Sequence, residues 1–328
     1  MGDGITRRKF LATGLAAGAG LYALSYLGSR EKAFQLKTLR QNDLKNGLVV
    51  VRGVKRGDQE PDPRAMTKKA IEVLGGMGAL VTKGDIVVIK PNMAWADKGP
   101  DWSTNTNPEV VAALIEMCIE AGAGRVKVFD YTISENPRPA YEGSGIAQAA
   151  RKAGADVFFV DKERFVPIEI PDGAVLKSWT FYDEVVDATK CDVLINVPAA
   201  KHHGTSKLSL GIKNVMGMIG GPRGNIHQDI HRKLADLNRV VKVDLTILDA
   251  YRVLMKNGPQ GLSLNDVSNS PSIARRIVAG TDRVAVDAYA ADKIFRLKPD
   301  DVGFLKECQA AGLGEVDYTK NGVQDLSV

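Results

Sequence analysis

The sequence predicts an α/β fold: a mostly parallel sheet with helices on both faces, in a single large domain. Short apolar runs rich in β-branched residues recur at 48–51, 85–89, 125–129, 156–160, 192–195 and 245–248, the pattern of strands buried on both faces. Helical patterns lie between several of them, at 64–77, 108–121, 145–153 and 182–189. No internal repeat, low-complexity tract or linker interrupts the chain after residue 46. The expected organisation is therefore 1–29 as an export signal or N-terminal anchor, 30–46 as a polar lead-in, and 47–328 as one domain.

The local chemistry supports each element in turn. Asn107-Pro108-Glu109 opens the second helix, with a capping asparagine followed by proline at the first helical position. Around 166–177, Pro167, Pro171 and Gly173 break the rhythm and suggest a β excursion at the sheet edge. Residues 225–238 read as a helix, which would place His227 and His231 one turn apart on one face.

The N-terminus carries Thr6-Arg7-Arg8-Lys9-Phe10-Leu11 ahead of an uncharged Ala, Gly and Leu-rich stretch to Ser29. Paired arginines and a glycine-diluted apolar region resemble a twin-arginine (Tat) export signal rather than a strongly hydrophobic secretion signal. The expected location is the periplasm or the outer face of the cytoplasmic membrane, with the Tat translocase as a partner during export. Ala23-Leu24-Ser25 offers small residues for cleavage, and the uncharged run approaches the roughly 20 residues of an uncleaved anchor.

Composition narrows the classes. With 44% hydrophobic and 25% charged residues, the chain can build a core without covalent staples. A net charge of +5 is too small and too dispersed to imply nucleic acid as a partner. The three cysteines, Cys118, Cys191 and Cys308, are far apart, so no CxxC or iron-sulfur run is present and no iron-sulfur cluster is expected.

In an open parallel sheet, ligands sit beyond the carboxyl ends of the strands. Those ends are polar here: Lys90 and Asn92 after the second run, Asp130 after the third, Lys201, His202 and His203 after the fifth, and Asp249 after the sixth. Lys90, Asp130, Lys201 and Asp249 are the candidate catalytic groups. Asn92, Lys213 and Asn214 are the candidate substrate-binding groups. From Lys201 onward the sequence reads as a strand end, a Gly-Thr-Ser turn and a helix bearing Lys207 and Lys213, a concentration of cations suited to carboxylate or phosphate. It lacks the Gly-Lys-Ser/Thr ending of a P-loop. Gly217, Gly220, Gly221, Pro222 and Gly224 follow, as a loop that closes over a ligand or merely connects.

All four histidines fall between positions 202 and 231. His203, His227 and His231, with a carboxylate from Asp130, Asp229 or Asp249, are the candidate ligands of a divalent transition metal such as Zn, Fe, Ni or Mn.

Several of these motifs together resemble the domain-of-unknown-function 362 family: Ile89-Lys90-Pro91-Asn92, Lys201 with His203, Gly211-Ile212-Lys213-Asn214 with Gly217, the His227/His231 segment, Leu248-Asp249-Ala250, the stretch from Asn257 to Gly261, and the stretch from Gly280 to Asp287. The resemblance runs over about residues 48 to 314. Some members carry ferredoxin-like iron-sulfur modules, which three scattered cysteines cannot supply. Within the pattern His203 matches the expected histidine and His202 does not.

Two function classes follow. One is an exported metal-dependent enzyme acting on an anionic small molecule, with lysines orienting the substrate or serving as base. The other is a non-enzymatic periplasmic protein that binds an anionic ligand or assists assembly of a redox or envelope complex.

Overall fold

The computed structural model describes residues 34–320 and 322–328. The Arg7-Arg8 segment lies outside the described residues. The main sheet runs in the order β13 (Val323–Ser327), β1 (Leu48–Arg52), β12 (Arg276–Gly280), β10 (Leu245–Leu254), β7 (Val193–Val197), β2 (Ile86–Pro91), β3 (Arg125–Val128) and β4 (Asp156–Val157). From β10 to β4 every pairing is parallel, while β12 lies antiparallel to both β1 and β10. The expected mostly parallel sheet is present, with an antiparallel insertion that the apolar runs did not announce.

Alternation along the strands builds a core on each face. Val49, Val51, Val87, Ile89, Val193, Ile195 and Ile247 pack beneath α1 (Pro63–Leu74) and α2 (Pro108–Glu120). Val50, Val88, Leu194, Leu248 and Val278 turn the other way, toward α7 (Ile230–Val240), α8 (Arg283–Tyr289) and α9 (Gly303–Ala310). The cap of α2 forms as the sequence implies: Asn107 accepts from the Glu109 amide at 3.0 Å with Pro108 in the first turn. In α1, Asp62 caps in the same way, and Gly75, with φ near 119°, ends the helix in a conformation costly for other residues.

The remaining helices are shorter. They are α3 (Arg138–Gly143), α4 (Ile146–Lys152), α5 (Asp183–Val186) and α6 (Gly211–Asn214). The helix expected over 182–189 shrinks to the single turn of α5, because the Asp187 carboxylate accepts from the Thr189 amide and turns the chain. Residues 166–177 do belong to a β excursion, the separate hairpin of β5 (Phe165–Glu169) and β6 (Ser178–Tyr182). The lead-in is anchored rather than free: Lys37 is buried and pairs with Asp244 at 2.8 Å.

Three local expectations need correction. Residues 225–238 are not one helix, since Asp229 is left-handed at φ 60° and α7 begins only at Ile230. His227 therefore ends a preceding 3-10 turn, and the one-face relation to His231 is lost. Lys207 lies on the short strand β9 (Lys207–Ser209), paired with β8 (Ala199–His203), and not on a helix. Asp249 is not at a strand end, because β10 continues five residues beyond it.

Candidate functional site

Parallel register brings the ends of β2 and β7 level, with Lys90 opposite Asn196, and Asp130 lies two residues past the end of β3. β8 then carries Lys201 and His203 along the same rim, and α6 presents Lys213 and Asn214. The result is a cleft of about 510 Å3 whose lining includes Lys90, Asn92, Asp130, Lys201, His203, Lys213, Asn214, Arg223 and His227. Eight of the ten residues singled out as catalytic, substrate-binding or metal-binding thus line this one cavity, while Asp249 and His231 are absent from its lining.

Lys90 is buried and held as a charged group: its Nζ is 2.9 Å from Asp130 Oδ1 and donates to Asn214 Oδ1 at 2.7 Å. Burial lowers its pKa, and the Asp130 charge opposes that shift. Asp130 Oδ2 accepts from the Met93 amide at 2.7 Å. Gly217 approaches this pair so closely that a Cβ there would sit 1.9 Å from Asp130 Oδ1 and 2.6 Å from Lys90 Nζ, which explains a glycine at this position.

Lys201 is equally buried but has no carboxylate partner among the described residues. Its Nζ donates to Asn92 Oδ1 at 2.8 Å and to the Thr104 carbonyl. Two acceptors match the two hydrogens of a neutral amine. Burial, reinforced by Lys213, pushes its pKa down to about 7. Among the described residues the only hydrogen-bond acceptor of Lys213 Nζ is the Met216 thioether, at 3.6 Å, and burial with the Lys90 charge lowers its pKa to about 8. Arg223 is stacked over the Tyr131 ring at 3.7 Å and donates to the Tyr131 and Thr132 carbonyls, with no carboxylate paired to it among the described residues.

An amide relay joins these groups. Asn92 Nδ2 donates to Asn214 Oδ1, Asn214 Nδ2 to Asn196 Oδ1, and Asn196 Nδ2 to the Gly211 carbonyl. Asp287 fixes the far end, accepting from the Gly211 and Ile212 amides at 2.8 and 2.9 Å and so seating the turn that carries Lys213 and Asn214.

The histidines separate. His203 and His227 stack in the cleft with ring centroids 5.6 Å apart, whereas His231 packs on Phe304. Among the described residues no group of three His, Cys, Asp or Glu side chains is placed to hold a metal ion, so the set of His203, His227 and His231 is not assembled. His203 also has the wrong outer contacts for a ligand. A metal-bound histidine donates its second ring N–H, but His203 Nδ1 instead accepts from the Thr205 and Ser206 amides, both at 3.2 Å. The proton of the neutral ring is thereby placed on Nε2, which becomes a donor. Burial and the nearby Lys213 push His203 down to about 3, so the ring is neutral at physiological pH. Asp229 is on the surface, paired with Arg232 at 3.3 Å.

Asp249 also needs reassignment from chemistry to architecture. Its oxygens accept from the Asn107 and Tyr251 amides at 2.7 and 3.0 Å, which fixes the segment containing the Thr104 carbonyl. Arg223 was missed by the sequence reading; a lone cation within the Gly217–Gly224 loop was the available signal. Asn196, in the strand end, and Thr104 were likewise not assigned roles, because their contacts come from distant segments.

A thylakoid-associated protein of Synechocystis is 26% identical over 257 residues, covering 76% of this chain and 75% of that one. A solved structure of a Thermotoga maritima protein aligns at 12% identity and a TM-score of 0.32, covering 62% of this chain and 54% of the other, so the match spans about half of that protein. The sequence profile of a domain of unknown function, DUF362, matches residues 87–292, which take in all the cleft residues named above and more than half of the chain; the chain belongs to that family.

Proposed function

We propose that the protein binds a small organic anion in the cleft beside Lys201, a neutral amine available for its conversion. The observation that carries this reading is Lys213: a buried amine whose neighbours include no oxygen acceptor, in a cleft where Lys90 alone of Lys90, Lys201, Lys213 and Arg223 has a carboxylate partner. A ligand carboxylate or phosphate supplies the missing acceptor, and a desolvated site strengthens that interaction. Neutral Lys201 retains a lone pair near physiological pH, as a base or a nucleophile requires. His203 Nε2–H is a neutral donor for a ligand oxygen, and His227, whose Nδ1 faces the Gly224 carbonyl at 3.3 Å, keeps an acceptor at Nε2. The donor pattern at His203 favours this anion site over a transition-metal centre.

Calorimetric titration with phosphate, malonate and glutarate tests the reading, with glucose as a neutral control. Saturable binding of at least one anion, lost in Lys213→Met, is expected; no anion binding at low ionic strength would overturn it.

For location, the reading is export by the twin-arginine route to the periplasm or the outer face of the cytoplasmic membrane, supported by Arg7 and Arg8 and by the thylakoid association of the Synechocystis relative. Replacing both arginines with lysine is expected to retain the protein in the cytoplasm, and undiminished export would refute the route.

A further inference from the structure

We propose that Lys201 is a nucleophile that forms an imine with a 2-oxo carboxylate. This rests on the anion-binding reading and names its substrate class. Three features of the cleft fit the three parts of such a molecule. Lys213, without an oxygen partner, receives the carboxylate. His203 Nε2–H, fixed as a donor by the two amides on Nδ1, receives the carbonyl oxygen. Lys201 supplies the attacking nitrogen.

The case for Lys201 comes from a contrast within the cleft. Lys90 has an anionic partner, Asp130, and is held as ammonium. Lys201 has two neutral acceptors, Asn92 Oδ1 and the Thr104 carbonyl, and no carboxylate. A third N–H, present only in the ammonium, finds no further acceptor in the described contacts, so the geometry favours the amine and leaves its lone pair unspent. The lowered proton affinity of Lys201 agrees with this geometry.

The step balances without a co-reactant. The amine lone pair attacks the carbonyl carbon and a C–N bond forms as the carbonyl π pair moves to oxygen. Both amine hydrogens pass to that oxygen, the C–O bond breaks, and water leaves the C=N product. The neutral imine so formed carries no N–H; taking up one proton from solvent gives the iminium, whose N–H can donate to Asn92 Oδ1. That iminium acts as an electron sink for negative charge developing on the carbon next to the imine carbon, which is the reason for using an amine rather than a simple cation there.

The test uses the purified full chain with 2-oxoglutarate as probe, sodium cyanoborohydride to deliver hydride to the imine carbon, and mass mapping of the modified lysine. A reduced adduct at Lys201 is expected, at least tenfold above that at the exposed Lys83 and Lys320, and suppressed by excess glutarate, which has the two carboxylates but no ketone. Calorimetry with both dicarboxylates is run in parallel. Binding of both without an adduct at Lys201 overturns the imine and leaves the anion site standing. An adduct confined to Lys213, or one at Lys201 that glutarate does not suppress, also overturns it. Failure of both dicarboxylates to bind removes this substrate class and counts against the anion reading itself. The decisive measurement is on the wild type, so it does not depend on a buried-lysine variant folding.

Discussion

The buried carboxylates around α7 and the lead-in and two buried lysines of the cleft, Lys201 and Lys213, do opposite work. Around α7 and the lead-in, Asp236 accepts from the Ala174, Val175 and Leu176 amides at 2.6 to 2.8 Å, and Asp244 accepts from the Arg40 and Leu194 amides while pairing with Lys37. Those oxygens are spent on the backbone. In the cleft, Lys201 rests on neutral acceptors and Lys213 on a thioether. The contrast teaches that a buried charge indicates function only after its partners are counted: saturated groups fix loops, whereas unsaturated ones wait for a ligand.

The largest test of this contrast is Asp236→Ala, which orphans three amides. It is expected to cost about 4 kcal/mol in urea unfolding, with anion affinity unchanged in the folded protein. A loss below about 1 kcal/mol would show that the carboxylate is not structural.

The pH dependence tests the lysine side. Lys201 at about 7 and Lys213 at about 8 lie below their ordinary value of 10.5. Between those values the unfolded chain binds more protons than the folded one. Stability contributed by these groups therefore rises with pH from about 7 to about 10.5, by up to about 1.4 kcal/mol per pH unit for each group. Other groups titrate there too, so the difference between wild type and Lys213→Met isolates the effect. Parallel stability profiles for the two proteins would contradict the assignment.

Smaller again is Lys213→Met at pH 7, where removing the unsatisfied amine is expected to raise stability by about 1 kcal/mol while anion binding falls at least tenfold. Destabilisation with affinity retained would place Lys213 among the structural groups. The smallest effect is expected at His231→Leu. His231 Nδ1 is buried without a partner beside Phe304, so stability should change by less than about 1 kcal/mol and anion affinity not at all. A changed ligand affinity would restore His231 to the site.

The fold was legible where strands are uniformly apolar, because burial on both faces leaves a simple local signature. β10 was cut short at Leu248 since Asp249 looks like a strand end; its burial is made tolerable by the amides of Asn107 and Tyr251, the former far away in sequence. The direction of β12 was hidden because parallel and antiparallel strands share the same apolar pattern. In the site, Lys90, Asp130 and Lys201 were legible from their places after apolar runs. The histidine pairing was misread because spacing was converted to a helix face without knowing that Asp229 adopts φ 60°. Arg223 was obscured by the glycines around it, whose conformation depends on contacts made only after folding.

The asparagine relay has a polarity. The Lys90 ammonium, which can only donate, holds the Asn214 oxygen, and the Gly211 carbonyl, which can only accept, holds the Asn196 nitrogen, so Asn92, Asn214 and Asn196 all point oxygen-first toward Lys201. Neither Asn214 nor Asn196 can turn over without setting donor against donor on one side and acceptor against acceptor on the other, and turning Asn92 sets its oxygen against that of Asn214. The row behaves as a one-way grammar rather than a set of interchangeable contacts. Replacements within it are therefore coupled: an aspartate at Asn214 removes the donor to Asn196, and only a change further down the row can make the sequence of donors and acceptors read correctly again.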